Sequence, residues 1–312
     1  MEDTDLARLV ALTDLDGVGP KRARAIYDAF DSASEIYEGP TNRFDEFNYI
    51  DESNLDHLDK SKNKIQEYVS RFECCRNNGI SVIGIDDSRY PQSLRQHHAP
   101  LVLYTQGDSS LLEQPSISFA GSRDTDSKGC EWTHRTAKDL AEEYIIVSGG
   151  ALGVDTAAHE GALAGDGKTI VVLGTGIKNW YPEKNESLFK RILDEGGLLV
   201  SHRPPTAGPA RHGFLQRNKT NAALSGVIVI VATDGSGGTM SQYQDAMSFD
   251  ASILVPSPSY GHSPTEGIKQ MINGGTVTVA DSADKISSVA NSVQYPTESS
   301  SNQTALDDWA SN

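Results

Sequence analysis

From residue 80 onward, short apolar runs rich in β-branched residues alternate with segments whose apolar residues have helical spacing. Strands that are apolar throughout are buried on both faces, and intervening helices supply the crossovers that parallel pairing requires. The alternation predicts an α/β fold with a doubly wound, mostly parallel sheet. The predicted strands are Ile80–Ile85, Leu101–Thr105, Ser116–Ala120, Tyr144–Val147, Thr169–Leu173, Leu198–Ser201, Val227–Ala232, Ser252–Pro256 and the more weakly patterned Thr276–Val279. The predicted helices are Gly129–Glu143, Asp155–Ala164, Asn185–Glu195, Asn221–Leu224 and Met240–Ser248.

A change in composition near residue 76 divides the 312-residue chain. We predict a small all-α domain at 1–75, a large α/β domain at 76–290 and a disordered tail at 291–312, which is rich in Ser, Asn, Thr and Asp. The first residues are acidic, whereas a secretory signal begins with basic ones. Because the apolar runs are far shorter than the roughly 20 residues that span a bilayer, we expect a cytoplasmic protein with no membrane partner.

The segment Leu12–Ile26 has the pattern of a helix-hairpin-helix, with a turn at Gly17-Val18-Gly19 and Pro20 opening the second helix. Glycine permits the tight turn, and proline is favoured at the first position of a helix because an amide hydrogen there has no acceptor within the helix. Amides at this helix start, with Lys21 and Arg22, can hold a phosphate without reading base sequence. The alternative is a hairpin that packs against its own domain or a partner.

Four glycine-containing loops follow predicted strands directly. They are Gly121-Ser122-Arg123, Ser148–Asp155 with Gly149 and Gly150, Gly174-Thr175-Gly176, and Asp234–Thr239. In an open parallel sheet, ligands bind outside the carboxyl ends of the strands, where glycine lets backbone amides approach anionic oxygens. Each loop alone could be a simple strand-to-helix turn, but four of them indicate an anion site. None matches a dinucleotide or P-loop motif, so no cofactor is expected.

The charge distribution bears on the same site. The whole chain has 27 basic and 43 acidic residues and a net charge of −16, whereas residues 115–260 hold 13 basic and 16 acidic ones. The 38-residue stretch 196–233 contains no acid and four cations, Arg203, Arg211, Arg217 and Lys219. We predict that Arg217-Asn218-Lys219 opens a helix and faces an anion; the alternative is a solvated surface. The acidity elsewhere is typical of a protein kept soluble in a salt-rich cytoplasm.

Residues for catalysis or metal binding are not arranged in a recognised pattern. Asp155 and His159 are four residues apart on one predicted helix, but no nucleophile stands at a triad spacing. We interpret Asp155 as a helix N-cap and His159 as a packing residue. The histidines lack ligand spacing, and three cysteines without a C-x-x-C pair predict neither disulfides nor a zinc site.

Several motifs together resemble the DNA-processing protein A family, DprA or Smf, over about residues 76–282. The main ones are Gly121-Ser122-Arg123…Ser127, Ser148–His159, Val172–Gly176…Tyr181-Pro182…Asn185, Arg217-Asn218-Lys219…Leu224-Ser225 and Gly235–Thr239. Tyr90-Pro91…Leu94, Leu101–Gly107 and Glu266-Gly267…Ile272–Gly275 agree as well. The helical N-terminus is similar to the family's small domain.

The resemblance implies an extended Rossmann-like, non-catalytic domain that binds single-stranded DNA without sequence preference and forms a homodimer. It also implies a role in natural transformation, protecting incoming strands and helping to load a RecA-family recombinase. Carried over by motif, the candidate DNA-binding residues are Gly121, Ser122, Arg123, Gly149, Gly150, Lys178, Arg217, Asn218 and Lys219. Trp180 and Phe214 are candidate stacking faces, with core packing as the alternative.

The sequence departs from the family pattern in three places. Leu152 stands where arginine is common, Lys128 where an aromatic residue is frequent, and Phe214–Arg217 replaces Phe-Pro-x-Arg. The length after the last sheet element leaves no room for a winged-helix domain. One alternative function is a lysine-decarboxylase-like enzyme that cleaves nucleoside monophosphates, although Gln242 occupies the position of its catalytic carboxylate. Another is a nucleotide-sensing relative that does not bind DNA.

Overall fold

The computed structural model describes residues 1–30, 32–96 and 100–293. Within them, nine strands form one sheet in the order β1-β2-β6-β5-β4-β3-β7-β8-β9. The strands are β1 (Ile80–Gly84), β2 (Val102–Gly107), β3 (Ser116–Ala120), β4 (Ile145–Ser148), β5 (Thr169–Leu173), β6 (Leu198–Ser201), β7 (Val227–Ile230), β8 (Ser252–Val255) and β9 (Thr278–Val279). The pairs among β3 to β9 are all parallel, whereas β1 with β2 and β2 with β6 pair antiparallel at one edge. The predicted α/β, mostly parallel, Rossmann-like class is confirmed.

Strand order places a crevice beside β3. The chain winds from β3 through β4 and β5 to β6 in one direction, then crosses back and winds from β7 to β9 in the other. β3 therefore has β4 on one side and β7 on the other. Helices that follow neighbouring strands in opposite directions leave the sheet on opposite faces, and the crevice between them lies at the carboxyl ends of the strands.

Helices cover both faces of the sheet and form a further layer at its β1–β2 edge. They are α1 (Asp3–Thr13), α2 (Pro20–Asp28), α3 (Ala33–Glu38), α4 (Glu52–Lys62), α5 (Ile65–Arg76), α6 (Gln92–Gln96), α7 (Ser127–Leu140), α8 (Val154–Ala164), α9 (Glu186–Asp194), α10 (Arg211–Leu224), α11 (Gly237–Ser248), α12 (Glu266–Asn273) and α13 (Ala283–Ala290). In β7, Val227 and Val229 pack toward α7, α8 and α13, whereas Ile228 and Ile230 pack toward α10, α11 and α12. This alternation is why the buried strands are apolar at most positions, with only small polar side chains such as Ser118 and Thr169 among them.

The N-terminal helices form the predicted hairpin. Gly17 has φ +72° in the turn, and Pro20 is at the first position of α2. Helices give way to strands between Arg76 and Ile80, close to the predicted boundary, but one apolar cluster continues across it, from Leu9 of α1 to Leu103 of β2. The helices are therefore docked on the sheet and do not form a separate core.

One helix boundary differs from the sequence prediction. Helix α10 begins at Arg211, so the prediction that Arg217 opens a helical segment is wrong. Its N-cap is Ala210, whose side chain cannot accept a hydrogen bond, and no side-chain cap is present. Without a capping residue the sequence carries no local start signal there. Arg217 and its neighbours consequently lie in the second turn and point in different directions.

The last described residues, 291–293, belong to the predicted tail. Asn291, the first residue of the predicted tail, accepts a hydrogen bond from the Tyr144 hydroxyl at 2.7 Å, and residues 294–312 lie outside the described residues. Within residues 1–30, 32–96 and 100–293, no helix is long and apolar enough to cross a membrane.

Trp132 is the largest fully buried side chain and lies on α7 beneath the central strands. We expect Trp132→Ala to lower the free energy of unfolding by about 3–5 kcal/mol, because it leaves a cavity in a close-packed layer. The measurement is urea denaturation followed by circular dichroism. Glu131→Ala, at an exposed neighbouring position, is the control and should change stability by less than about 0.5 kcal/mol. Similar values for both variants would contradict the packing described.

Candidate nucleic-acid interface

A cleft of about 920 Å³ opens at the carboxyl ends of β3 and β7. Its walls come from the loops after these two strands, the starts of α8, α10 and α11, and one residue of the loop before α9. The charged side chains that line it are Arg123, Asp124, Asp155, Arg211, Arg217 and Asp234. The cleft thus combines three arginines with three aspartates, at the crevice that the strand order creates.

The floor of the cleft is a buried ion pair. Arg217 Nη1 lies 3.6 Å from Asp155 Oδ2, and the two side chains are 8% and 10% exposed. The guanidinium lies directly on Gly149, where an added Cβ would be 1.4 Å from Nη1. Gly149 is therefore required because any side chain would displace the arginine. Asn218 accepts a hydrogen bond from Arg217 Nε at 3.0 Å and fixes the other edge of the group.

The two charges change each other's titration. Burial raises the pKa of the Asp155 carboxyl, and the Arg217 guanidinium opposes that rise. Burial likewise lowers the pKa of Arg217, with Asp155 acting in the opposite direction. A buried charge needs such a partner because desolvating it alone is very unfavourable. Arg217 is thus a neutralised anchor in the floor and not an exposed cation.

The stretch without acids is therefore not isolated from acids in space. Asp155, from a different segment, pairs with Arg217. Burial raises the pKa of Asp245 on α11, and Lys219 opposes that rise, so these two charges also face each other. Acids from other segments thus face two of the cations of 196–233, because parallel winding brings together segments that are distant in the chain. That this stretch faces an anion stays a prediction.

The first glycine loop forms the rim beside β3. Ser122 donates its backbone amide to the Ala232 carbonyl at 2.8 Å, which ties the β3 loop to the end of β7. A Cβ on Gly121 would come 2.5 Å from Val154 on α8, so glycine permits this close packing. Arg123 is exposed at the rim, with its guanidinium carbon 6.0 Å from the centre of the Phe214 ring.

The remaining predicted residues separate into two groups. Gly150 lies behind the floor with φ +72°, and a Cβ there would meet Phe189 at 2.8 Å, so its role is packing. Asn218 lines the cleft and donates Nδ2 to the Gly238 carbonyl at 3.1 Å. Lys219 lies outside the cleft, in a groove shared with Lys21 of the hairpin.

Lys178 also lies away from the cleft lining described above. Burial raises the pKa of the Cys75 thiol, and the Lys178 ammonium opposes that rise, which places this lysine near the end of α5. The structure therefore brings Gly121, Ser122, Arg123, Arg217 and Asn218 together at the cleft. It does not bring Lys178 or Lys219 to the same site.

An aromatic patch continues from the rim. Phe214 of α10 packs against Tyr181 with ring centres 5.7 Å apart, and Tyr181 is 40% exposed. Leu152 lines the same small pocket as Arg123 and both rings, so the residue that departs from the family pattern extends this apolar surface. Trp180, in contrast, packs edge-on against Phe189 and donates Nε1 to the Ile177 carbonyl at 2.7 Å. Phe214 thus has the position of a stacking face, and Trp180 has that of a packing residue.

A sequence profile described as DNA recombination-mediator protein A matches residues 81–291. The chain belongs to this family. It is 36% identical over 200 residues to the DNA processing protein DprA of Streptococcus pneumoniae, which covers 61% of this chain and 71% of that protein. It is 26% identical over 285 residues to the protein Smf of Synechocystis, covering 89% of this chain and 71% of the relative. The predicted family is confirmed.

Solved structures agree with this assignment. DNA processing protein A from Streptococcus pneumoniae superimposes with a TM-score of 0.68 at 21% identity, covering 92% of this chain and 98% of that one, which supports the fold. The Helicobacter pylori protein, solved to explain its single-stranded DNA binding mode, has a TM-score of 0.61 and 27% identity, covering 69% and 97% of the two chains.

Two residues of the cleft, Tyr181 and Gln242, could not be placed there from the sequence of this DprA family member. Tyr181 was not identified as a stacking face, although it directly follows Trp180 in the loop after the third glycine segment. Gln242 was noted only as a replacement for a carboxylate, yet it lies in the cleft. Both residues belong to motifs that the sequence shows, but their exposure and their position in the cleft depend on the tertiary fold.

Asp155 and His159 do not form a catalytic pair. Gly153 is the N-cap of α8, so Asp155 is its second residue, and its carboxylate accepts the Ala151 amide at 3.1 Å. His159 is fully buried and its Nδ1 lies 2.7 Å from the Thr169 hydroxyl, which itself donates to the Ile146 carbonyl at 2.6 Å. The hydroxyl must therefore accept the Nδ1 proton, which fixes the protonated nitrogen of the ring. Full burial, with no partner for Nε2 among the described residues, favours the neutral imidazole.

This histidine makes the fold acid-sensitive. Burial lowers the pKa of His159 from 6.5 to about 3, with Arg217 contributing in the same direction. Between pH 6.5 and about pH 3, His159 is protonated in the unfolded chain and neutral in the folded protein. The free energy of unfolding therefore falls as the pH drops through this range. We expect this residue to remove about 1.4 kcal/mol of stability per pH unit in that window.

The measurement is the free energy of unfolding between pH 5 and pH 8. The free energy of unfolding of His159→Gln should fall less steeply with decreasing pH than that of the parent. His212→Gln, at an exposed position, should show the same pH dependence as the parent. Parallel curves for the parent and His159→Gln would contradict a neutral buried imidazole.

Proposed function

We propose that this protein binds single-stranded DNA across the cleft without base specificity. The observation that carries the proposal is the continuous surface from the Arg123 guanidinium over the Phe214 ring to the exposed Tyr181 ring. Cations for the backbone beside flat aromatic faces for unstacked bases are what sequence-tolerant single-strand binding requires. Membership of the DprA family and the single-stranded DNA binding of the Helicobacter pylori relative support it.

In this proposal, different cleft residues contact phosphates, maintain the shape of the cleft and stack on bases. Arg123 and Arg211 are exposed at the rim and contact phosphates, because neither is buried against an acid as Arg217 is. Arg217 holds the floor and the loop at Gly149 in shape. Tyr181 and Phe214 stack on bases, and Leu152 widens the apolar surface beside them.

The proposal extends to the partners and the setting of the protein. We propose that the protein acts by binding and not by catalysis, that it works as a homodimer, and that it helps a RecA-family recombinase to load on DNA during uptake and recombination in the cytoplasm. The description of the family as a recombination mediator supports the recombinase, since mediation requires one. The net charge of −16 supports a salt-rich cytoplasm of the kind found in halophilic archaea.

The salt dependence of binding tests the phosphate contacts. We expect oligothymidylate to bind the parent more weakly as salt rises, and Arg123→Ala to flatten the log–log slope by about 0.7, because the variant neutralises one phosphate fewer. Fluorescence anisotropy over a salt series measures both slopes. Lys178→Ala removes an exposed cation that does not line the cleft and should keep the parental slope. If Lys178→Ala flattens the slope and Arg123→Ala does not, the strand follows another path.

Stacking has a different signature from charge. We expect Tyr181→Ala to weaken oligonucleotide binding by about 1–3 kcal/mol with no change in the salt slope, because the ring contributes no counterion release. Tyr181→Phe should retain most of the affinity. Tyr260→Ala removes an equally exposed ring that does not line the cleft, and should bind like the parent. Full affinity in Tyr181→Ala would refute the stacking role.

A further inference from the structure

The first turn of α11 opens into the cleft with its amides uncapped. Ser236, the N-cap, makes no side-chain hydrogen bond to the helix, because its hydroxyl and its amide both donate to Asp234 at 2.8 Å. An added Cβ on Gly237 would have no atom within 4 Å, so there is open space in front of the turn. Ser236, Gly237, Gly238 and Thr239 all line the cleft. Such a helix end favours an anionic oxygen.

Gln242 supplies an independent sign that a ligand belongs there. It lines the same cleft and is only 6% exposed, yet its Nε2 is buried without a hydrogen-bond partner among the described residues. An unpaired buried donor is uncommon and destabilising. Gln242 is four residues after Gly238 and three after Thr239, so it shares their helix face, and helical side chains tilt toward the N-terminus.

We infer that the first turn of α11 and the Gln242 amide form a subsite for a phosphomonoester. The backbone amides of Gly237, Gly238 and Thr239 and the Nε2 of Gln242 are donors to the phosphate oxygens. A terminal phosphate fits a recess better than an internal phosphodiester, because three free oxygens and a near-dianionic charge can enter end-on.

The group is carried by a free nucleoside monophosphate or by the phosphorylated 5′ end of a strand. In the second case the subsite deepens the proposed function by setting where a bound strand starts. A glutamine at this position can donate a hydrogen bond to the phosphate, whereas a glutamate can only accept one and carries a like charge.

Two acidic side chains set the strength of the subsite. Asp234 holds the loop through Ser236, and its exposed carboxylate lies at the same turn. Asp124 also lines the cleft, across the crevice from α11 in the loop after β3. The rim arginines Arg123 and Arg211 offset these charges. The amides and Gln242 are therefore the specific donors, and the overall field is close to neutral.

Calorimetric titration of the full chain with dTMP, thymidine and inorganic phosphate tests the subsite directly. We expect dTMP to bind at least about tenfold more tightly than thymidine, as charge-assisted hydrogen bonds of this type allow. Gln242→Glu should abolish that preference, and Gln242→Met, which keeps the shape without the donor, should reduce it several-fold. Gln244→Glu adds the same charge at an exposed position of the same helix and should keep the parental preference.

Oligothymidylates with a 5′-phosphate or a 5′-hydroxyl distinguish the two sources of the group. A gain from the 5′-phosphate that Gln242→Met loses identifies the strand end, and a dTMP preference without such a gain identifies the free nucleotide. Equal binding of dTMP and thymidine by the folded parent, or an unchanged preference in both Gln242 variants, would overturn the inference. Binding of the 5′-hydroxyl strand reports on the proposed function separately, so failure of one is distinguishable from failure of the other.

Discussion

The buried pair between Arg217 and Asp155 is the contact around which the cleft is organised. It joins α10, which leads into β7, to α8, which follows β4, directly over the glycine at the end of β4. Removing either partner would leave an uncompensated charge in a nearly dry environment, which is far more destabilising than losing a surface pair. Gly149, Asn218 and the loop before α8 are arranged to accommodate this one contact.

The pair also explains how an acidic protein can present a nucleic-acid surface. Cations that face an anion in solution must be exposed, and in the cleft these are Arg123 and Arg211. With Asp124 and Asp234 nearby, the long-range field is weak. Under the proposed function, recognition then depends on contacts within a few ångströms: guanidinium to phosphate, ring to base, and amide to oxygen. Such contacts persist at high ionic strength, where the Debye length is only about 3 Å at 1 M salt.

The sequence was most informative where one physical requirement decided the pattern. Strands such as Thr169–Leu173 and Leu198–Ser201 are almost entirely apolar because both faces are covered, and their bounds were predicted without error. The glycine loops were recognised because strand ends beside a crevice need close backbone approach. The start of α10 was missed because Ala210 provides no cap. The partner of Arg217 could not be predicted either, since Asp155 is 62 residues earlier and only the strand order brings the two together.

Burial state, more than residue type, determines what each arginine contributes to binding. Arg217 is matched by Asp155 before any ligand arrives. It therefore does not neutralise a phosphate or release a counterion from the strand, and it adds little to the salt dependence. Arg123 has no such partner in the floor and lies over Phe214, which orients the guanidinium without neutralising it. A motif containing both residues is therefore not a set of equivalent phosphate contacts. The glycines and Arg217 preserve the shape of the cleft, and under the proposed function the exposed rim contacts the strand.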